Sequence, residues 1–163
     1  LRVQVLISAA YTYSESGLFE ESLSYIEQVR QNSLTDRDAC LVGLLYRQNI
    51  HETNQQHLDT ETQVTAQHCS AANEVLALHF LTTFDALQLE AKKQYSEASQ
   101  LLNSKVASAE QSKYPRLIAD FYLGLARSAH AQGQNEAAVS YLDKIHAMSQ
   151  SLGFILFFSH SPN

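Results

Sequence analysis

Apolar and small residues recur at helical spacing near the start of the chain. Four of them follow the i, i+3, i+4, i+7 pattern of one helix face: Leu6, Ala9, Ala10 and Tyr13. Gly17 is suited to end that helix, because glycine lacks the Cβ atom that makes a positive φ costly. A second helical face follows at once, formed by Ser22, Leu23, Ile26 and Val29. Two short amphipathic helices joined by so tight a turn are predicted to lie antiparallel.

The same order of residues returns near the far end of the chain. Its first face consists of Tyr122, Leu125, Ala126 and Ala129. Gly133 ends this helix, and the second face consists of Ala138, Leu142 and Ile145. Small residues occupy matching points of the two copies, where two helix backbones are expected to approach closely: Ala10, Ser22, Ala126 and Ala138. The two ends of the chain therefore predict two copies of one helical hairpin.

The stretch after the first hairpin predicts a well-formed helix followed by a weaker one. Thr35 and Asp38 have the spacing of a capping box, so a helix is expected to begin there. An apolar stripe follows, made of Cys40, Leu41, Leu44 and Leu45. Gly43 is a candidate point of close approach to another helix. Residues 51–70 are mostly polar, which predicts a poorly buried second helix.

A densely apolar segment, residues 74–91, predicts a helix that is buried on more than one side. Its partner helix is indicated by Tyr95, Ala98, Leu102 and Val106. Pro115 suits the first position of the next helix, where its missing N–H costs nothing. The predicted hairpins therefore cover residues 1–31, 35–70, 73–110 and 114–151.

The hairpin pattern resembles the tetratricopeptide repeat. That family shares the small residue of the first helix, an aromatic residue three positions on, the turn glycine and a small residue in the second helix. Gly17 and Gly133 are 116 residues apart, so three intervals average about 39 residues, longer than the family's standard 34. The repeat pattern therefore resembles the long-repeat branch of the superfamily, found in regions of bacterial transcriptional activators and signalling proteins. The far copy departs from the pattern at Ala129 and Asn135, where the near copy has aromatic residues.

The resemblance implies an all-α fold, a right-handed α-solenoid of about four stacked antiparallel helix pairs with a degenerate second repeat. It implies a single domain over residues 1–163 whose concave face binds a protein or peptide. The family's groove positions fall on Gln4, Ile7, Tyr11, Ser14, Phe80, Thr83, Leu87, Glu90, Asp120, Leu123, Arg127 and His130. Each has helix–helix packing as its alternative role. The set lacks the paired basic residues with which some family members hold a C-terminal carboxylate.

Composition narrows the classes of function. The chain has 163 residues and is 45% hydrophobic, with only five glycines and two prolines, which favours a helical core over a loop-rich all-β fold. A formal net charge of −6 disfavours contact with nucleic acid, since that affinity depends on clustered Lys and Arg. The apolar run of the final segment is far too short to span a bilayer, and no membrane insertion is expected.

Catalytic and metal-binding motifs are missing from the sequence. His51, Glu52 and His57 do not form the HExxH arrangement, because positions i and i+6 lie on different helix faces. No phosphate-binding glycine loop or nucleophile elbow occurs. We therefore expect no enzymatic activity, no cofactor and no metal. Cys40 and Cys69 are interpreted as two buried thiols, with a single disulfide as the alternative.

The final residues, Gly153–Asn163, fit no repeat, and three interpretations stay open. They are expected to be a segment packed on the last hairpin, the cut start of another element, or an interface with a neighbouring domain. The apolar tail at Phe154–Phe158 also motivates a self-association hypothesis. The chain begins with Leu rather than Met, which predicts a fragment of a larger protein, expected in the cytoplasm.

The leading functional hypothesis is a non-catalytic protein-interaction or sensor module of a regulatory or signalling protein. Two alternatives are a self-association or interdomain scaffold, including a homodimer, and a small-ligand-sensing domain of a transcriptional regulator.

Overall fold

The computed structural model of the protein describes residues 2–53 and 59–152. The described residues form eight α-helices and no strand: α1 (Arg2–Glu15), α2 (Phe19–Arg30), α3 (Asp36–Glu52), α4 (Asp59–Ala71), α5 (Val75–Ala91), α6 (Tyr95–Gln111), α7 (Pro115–Ala131) and α8 (Asn135–Leu152). The predicted all-α class is confirmed. The predictions for Gly153–Asn163 lie outside the described residues.

Contacts within the chain define two compact units, residues 1–84 and 85–163. In the first unit, α1 packs on α2 and α3, and α3 packs on α2 and α4. In the second unit, α7 packs on α6 and α8. The single domain and the solenoid stay predictions.

A residue with positive φ follows the end of five helices. These residues are Gly17, Asn73, Lys93, Lys113 and Gly133. At the predicted turn glycines, Leu18 N donates to Tyr13 O at 2.9 Å and Gln134 N donates to Ala129 O at 2.9 Å. This bond satisfies a carbonyl that the helix itself leaves unbonded. Two pairs of these turns, 73 with 113 and 93 with 133, are each 40 residues apart. The structure is thus helical-repeat-like.

The turn after α5 has no glycine but takes the same conformation. Lys93 has φ 61°, and Gln94 N donates to Leu89 O at 2.8 Å. A residue with a Cβ atom is strained in this region of the backbone map. The geometry of the turn is therefore set by the helix-ending hydrogen bonds rather than by the preference of the lysine.

Because glycine relieves this strain, we expect Lys93→Gly to raise the free energy of unfolding by roughly 0.5–1 kcal/mol. Urea denaturation followed by circular dichroism measures the change. Lys92→Gly is the matched control, since Lys92 lies in the same turn without a positive φ. Equal effects of the two substitutions would contradict the strain argument.

The core of the first unit lies between α1, α2 and α3. Six buried apolar residues form it: Ile7, Ala10, Ile26, Val29, Val42 and Leu45. A chain of polar contacts crosses the same region. Ser14 Oγ donates to Asn49 Oδ1 at 2.7 Å, Asn49 Nδ2 donates to Ser22 Oγ at 2.6 Å, and Ser22 Oγ donates to Ala10 O at 2.7 Å. Asn49 and Ser22 are fully buried, so this chain ties three helices together in the interior.

We expect Asn49→Ala to lower the free energy of unfolding by about 2–4 kcal/mol, because it leaves two buried hydroxyls short of a partner and opens a cavity. Chemical denaturation of the purified chain gives the value. The matched control is Asn103→Ala, since Asn103 is an exposed residue of α6 whose amide makes a longer bond of 3.4 Å to Ser99 Oγ. A loss of less than about 1 kcal/mol at Asn49 would show that the polar chain contributes little.

The second unit buries the predicted face of α7, namely Tyr122, Leu125, Ala126 and Ala129. On α8, Ala138 and Ile145 are buried as predicted, but the prediction for Leu142 is wrong, since it is 45% exposed. The reason lies in Tyr141, whose ring stacks on that of Tyr122 with centroids 6.1 Å apart. Helix α8 therefore contacts α7 through Tyr141, and Leu142 lies at the edge of the interface between the two helices.

The two cysteines form a disulfide between α3 and α4, with Cα atoms 4.7 Å apart. Both residues are fully buried, as predicted, but the interpretation as two thiols is wrong. The sequence predicted a hairpin over residues 35–70, but it did not show that Cys40 and Cys69 meet across that hairpin. Spacing along the chain carries no information about such a pairing.

Candidate functional site

The candidate site lies in the second unit, where α7 faces the end of α5. Arg127 Nε donates to Glu90 Oε2 at 2.8 Å, and Ser128 Oγ donates to Glu90 Oε1 at 3.3 Å. The Glu90 side chain is only 11% exposed, whereas that of Arg127 is 41% exposed. The carboxylate is thus held in place by two donors while the guanidinium reaches the solvent.

Asp120 lies on the same face of α7, two turns before Arg127. Burial raises the pKa of its carboxyl group to about 6, although the nearby charges of Arg116 and Arg127 act in the opposite direction. Desolvation of the carboxylate therefore exceeds the attraction of two guanidinium groups. Asp120 is charged at neutral pH and takes up a proton in mildly acidic solution.

The raised pKa makes Asp120 a source of pH-dependent stability. The folded state binds the proton more tightly than the unfolded state, so stability falls as the pH rises from about 4 through 6. We expect Asp120→Asn to raise the free energy of unfolding by about 2–3 kcal/mol at pH 7.5, an upper value that follows from 1.36 kcal/mol per pKa unit.

Denaturation of the wild type and this variant at pH 4, 5, 6 and 7.5 measures the gain, which is expected to shrink as the pH falls. Exposed Asp143 provides the control, as Asp143→Asn changes the same charge on α8. A gain that does not vary with pH would contradict a raised pKa at Asp120.

Two further predicted groove residues lie on α7. Leu123 is partly buried. His130 is exposed, and its Nδ1 is 3.0 Å from Asn135 Oδ1. The structure therefore brings Glu90, Asp120 and Arg127 into one charged group and leaves His130 at the solvent-facing end of α7.

The predicted groove residues of α1 have different surroundings. Gln4 Nε2 donates to Asp38 Oδ1 at 2.6 Å, and Ser14 belongs to the buried polar chain. Ile7 is part of the core. These three residues connect α1 to its neighbours, whereas Tyr11 is 53% exposed.

The predicted groove residues of α5 divide between the two units. In the first unit, Thr83 is buried and its Oγ1 donates to Phe80 O at 2.8 Å, while Phe80 is partly buried. In the second unit, Leu87 is partly buried and Glu90 belongs to the charged group.

Sequence reasoning missed Arg116 and Ser128. Arg116 had a usable signal, since it lies four residues before Asp120, a spacing that places opposite charges side by side on a helix. Ser128 had none, because a serine next to an arginine says nothing about a glutamate 38 residues earlier. Only the packing of α7 reveals that contact.

A separate cavity of about 370 Å³ lies in the first unit between the end of α2, α3 and α4. Gly43 of α3 lines it, and a Cβ atom there would lie 2.9 Å from Thr65 Cβ, which confirms the predicted close approach. Arg30 lines another part of the cavity, with its guanidinium 3.9 Å from the Tyr46 ring centroid and 3.4 Å from Glu61. This cavity was not predicted, because its walls come from distant parts of the sequence.

No group of three or more metal-ligating side chains occurs in the part of the chain that the structure describes. Within residues 2–53 and 59–152, no helix combines the length and apolar character that crossing a membrane requires. No protein-family model matches the chain, and comparisons with curated proteins and with solved structures find no match.

Proposed function

We propose that the chain is a non-catalytic module that binds a protein or peptide partner through the charged group on α5 and α7. The observation that carries this proposal is the asymmetric Glu90–Arg127 pair, which is buried at the carboxylate and exposed at the guanidinium. Arginine presents up to five N–H donors in a planar fork, and only Nε is used by Glu90. The terminal amino groups suit a carboxylate or a backbone carbonyl of a partner.

The ordering of Arg127 before binding supports the proposal. A guanidinium already fixed by Glu90 loses less side-chain freedom when a partner arrives, which favours affinity. Asp120 adds an anionic group nearby, so a partner with both acidic and basic side chains complements this surface. The tetratricopeptide resemblance implies a binding groove that includes these residues.

The test begins with a partner identified by cross-linking and mass spectrometry, followed by titration with purified protein. We expect Arg127→Gln to weaken binding at least tenfold, the range measured when a fixed charged contact is lost at an interface. Lys105→Gln is the matched control, because Lys105 is an exposed residue of α6 and the substitution removes the same charge from another surface.

Circular dichroism verifies that both variants keep their helicity. Equal weakening by both variants would indicate a general charge effect and would contradict the assignment of this surface. Unchanged binding by both would contradict it as well.

The cavity in the first unit supports a second candidate function, the sensing of a small ligand. Its apolar lining with a few polar groups is the usual character of such sites. We expect a compound that raises the melting temperature of the wild type to have no such effect on Val64→Trp, which fills the cavity from α4. Val139→Trp is the control, because Val139 is an exposed valine of α8. Stabilisation that survives in Val64→Trp contradicts this site.

The cytoplasmic location stays a prediction, and the Cys40–Cys69 disulfide weighs against it. Disulfides persist in oxidising compartments and are rare where cellular thiols keep cysteines reduced.

A further inference from the structure

Helix α4 buries very little apolar surface. Among its described side chains, from residue 61 to residue 71, only Thr65 and Cys69 are buried, and Val64 is 50% exposed. In contrast, α2 buries Ile26 and Val29 completely. Because the hydrophobic effect scales with the apolar area removed from water, it contributes much less to holding α4 than to holding α2.

Most polar contacts of α4 are made by side chains that are partly exposed to solvent. His68 Nδ1 is 2.7 Å from Asp36 Oδ1, with both side chains more than one third exposed. Glu61 is 3.4 Å from Arg30. Ion pairs of this kind add little stability, since water already solvates both partners well. The bond from Arg47 Nη1 to Thr62 Oγ1, at 2.5 Å, is the more enclosed contact.

The disulfide is therefore the strongest link between α3 and α4. Cys69 lies in the last turn of α4 and is bonded to Cys40 near the start of α3, across a sequence separation of 29 residues. Both cysteines pack with Ala77 and Leu81 of α5 in a small apolar cluster. A bond that closes this loop removes conformational freedom that the separated helices regain.

We propose that the Cys40–Cys69 disulfide is a redox-sensitive latch that holds α4 against α3, and that reduction by a dithiol releases α4. In the first step a thiolate of the dithiol attacks one sulfur, forming a mixed disulfide and freeing the other cysteine as a thiolate that takes up a proton. The second thiol of the reductant then displaces the remaining cysteine. Two electrons and two protons pass to the cysteines, and the dithiol becomes a disulfide.

The burial of both sulfur atoms sets a condition on this reaction. The dithiol reaches them when α4 separates locally from α3, and a helix with few buried apolar contacts opens at low cost. The cavity beside α3 depends on the same contact, because Glu61, Val64, Thr65 and His68 of α4 line it. Release of α4 therefore removes one side of that cavity.

Hydrogen exchange with mass spectrometry on the full chain tests the latch. We compare the oxidised protein with the protein reduced by dithiothreitol, after alkylation of a sample verifies the two thiols. Exchange in α4 is expected to become at least tenfold faster on reduction. Exchange in α7 and α8 is expected to stay within twofold, since the sequence contains no cysteine beyond Cys40 and Cys69.

The double variant Cys40→Ala/Cys69→Ala provides a second measurement that needs no reductant. Its α4 is expected to exchange as fast as that of the reduced protein, and dithiothreitol is expected to change nothing further. The proposal is overturned if α4 of the fully reduced protein exchanges within twofold of the oxidised form. Loss of protection throughout α7 and α8 on reduction, or free thiols in protein purified under oxidising conditions, overturns it too.

Discussion

The close approach of paired helices at small buried residues is the constraint on which the described structure depends. Two pairs of such residues lie on helices that pack against each other and are each separated by 12 positions, and they are Ala10 with Ser22 and Ala126 with Ala138. A larger side chain at any of these positions would push the two helix backbones apart and remove packing contacts along the whole interface between the two helices. Where the second residue is serine, its hydroxyl bonds to the facing carbonyl of Ala10, so the tight packing leaves no polar atom of the serine without a partner.

The same constraint explains why the candidate site lies where it does. Helix α7 packs on α8, and its residues Phe121, Leu125 and Ala126 are buried. The other side of α7 carries Asp120 and Arg127 beside Glu90 of α5. Charged side chains next to a packed helix seam are partly desolvated, which is why the pKa of Asp120 rises to about 6 even with two arginines nearby.

Helix α4 shows what happens when a segment lacks the apolar residues that the other helices use. Its contact with α3 depends on Gly43, which leaves room for Thr65, and on a covalent bond at the end of α4. The bond compensates for missing hydrophobic burial, as disulfides do in small domains with limited cores. The first unit thus combines a core that packing stabilises, between α1, α2 and α3, with a helix whose position depends on the oxidation state of two sulfur atoms.

The sequence by itself determined the all-α class and several helix ends, because helical periodicity, Gly17, Gly133 and Pro115 act through local backbone geometry. The tetratricopeptide resemblance gave Glu90, Asp120 and Arg127 as candidate groove residues. Only the tertiary structure decided that these three meet with Ser128, that Asn49 ties three helices together and that two cysteines form a bond. Each of those contacts joins residues on different helices. Local spacing does not encode the distance between helices, which the packing of the whole core sets.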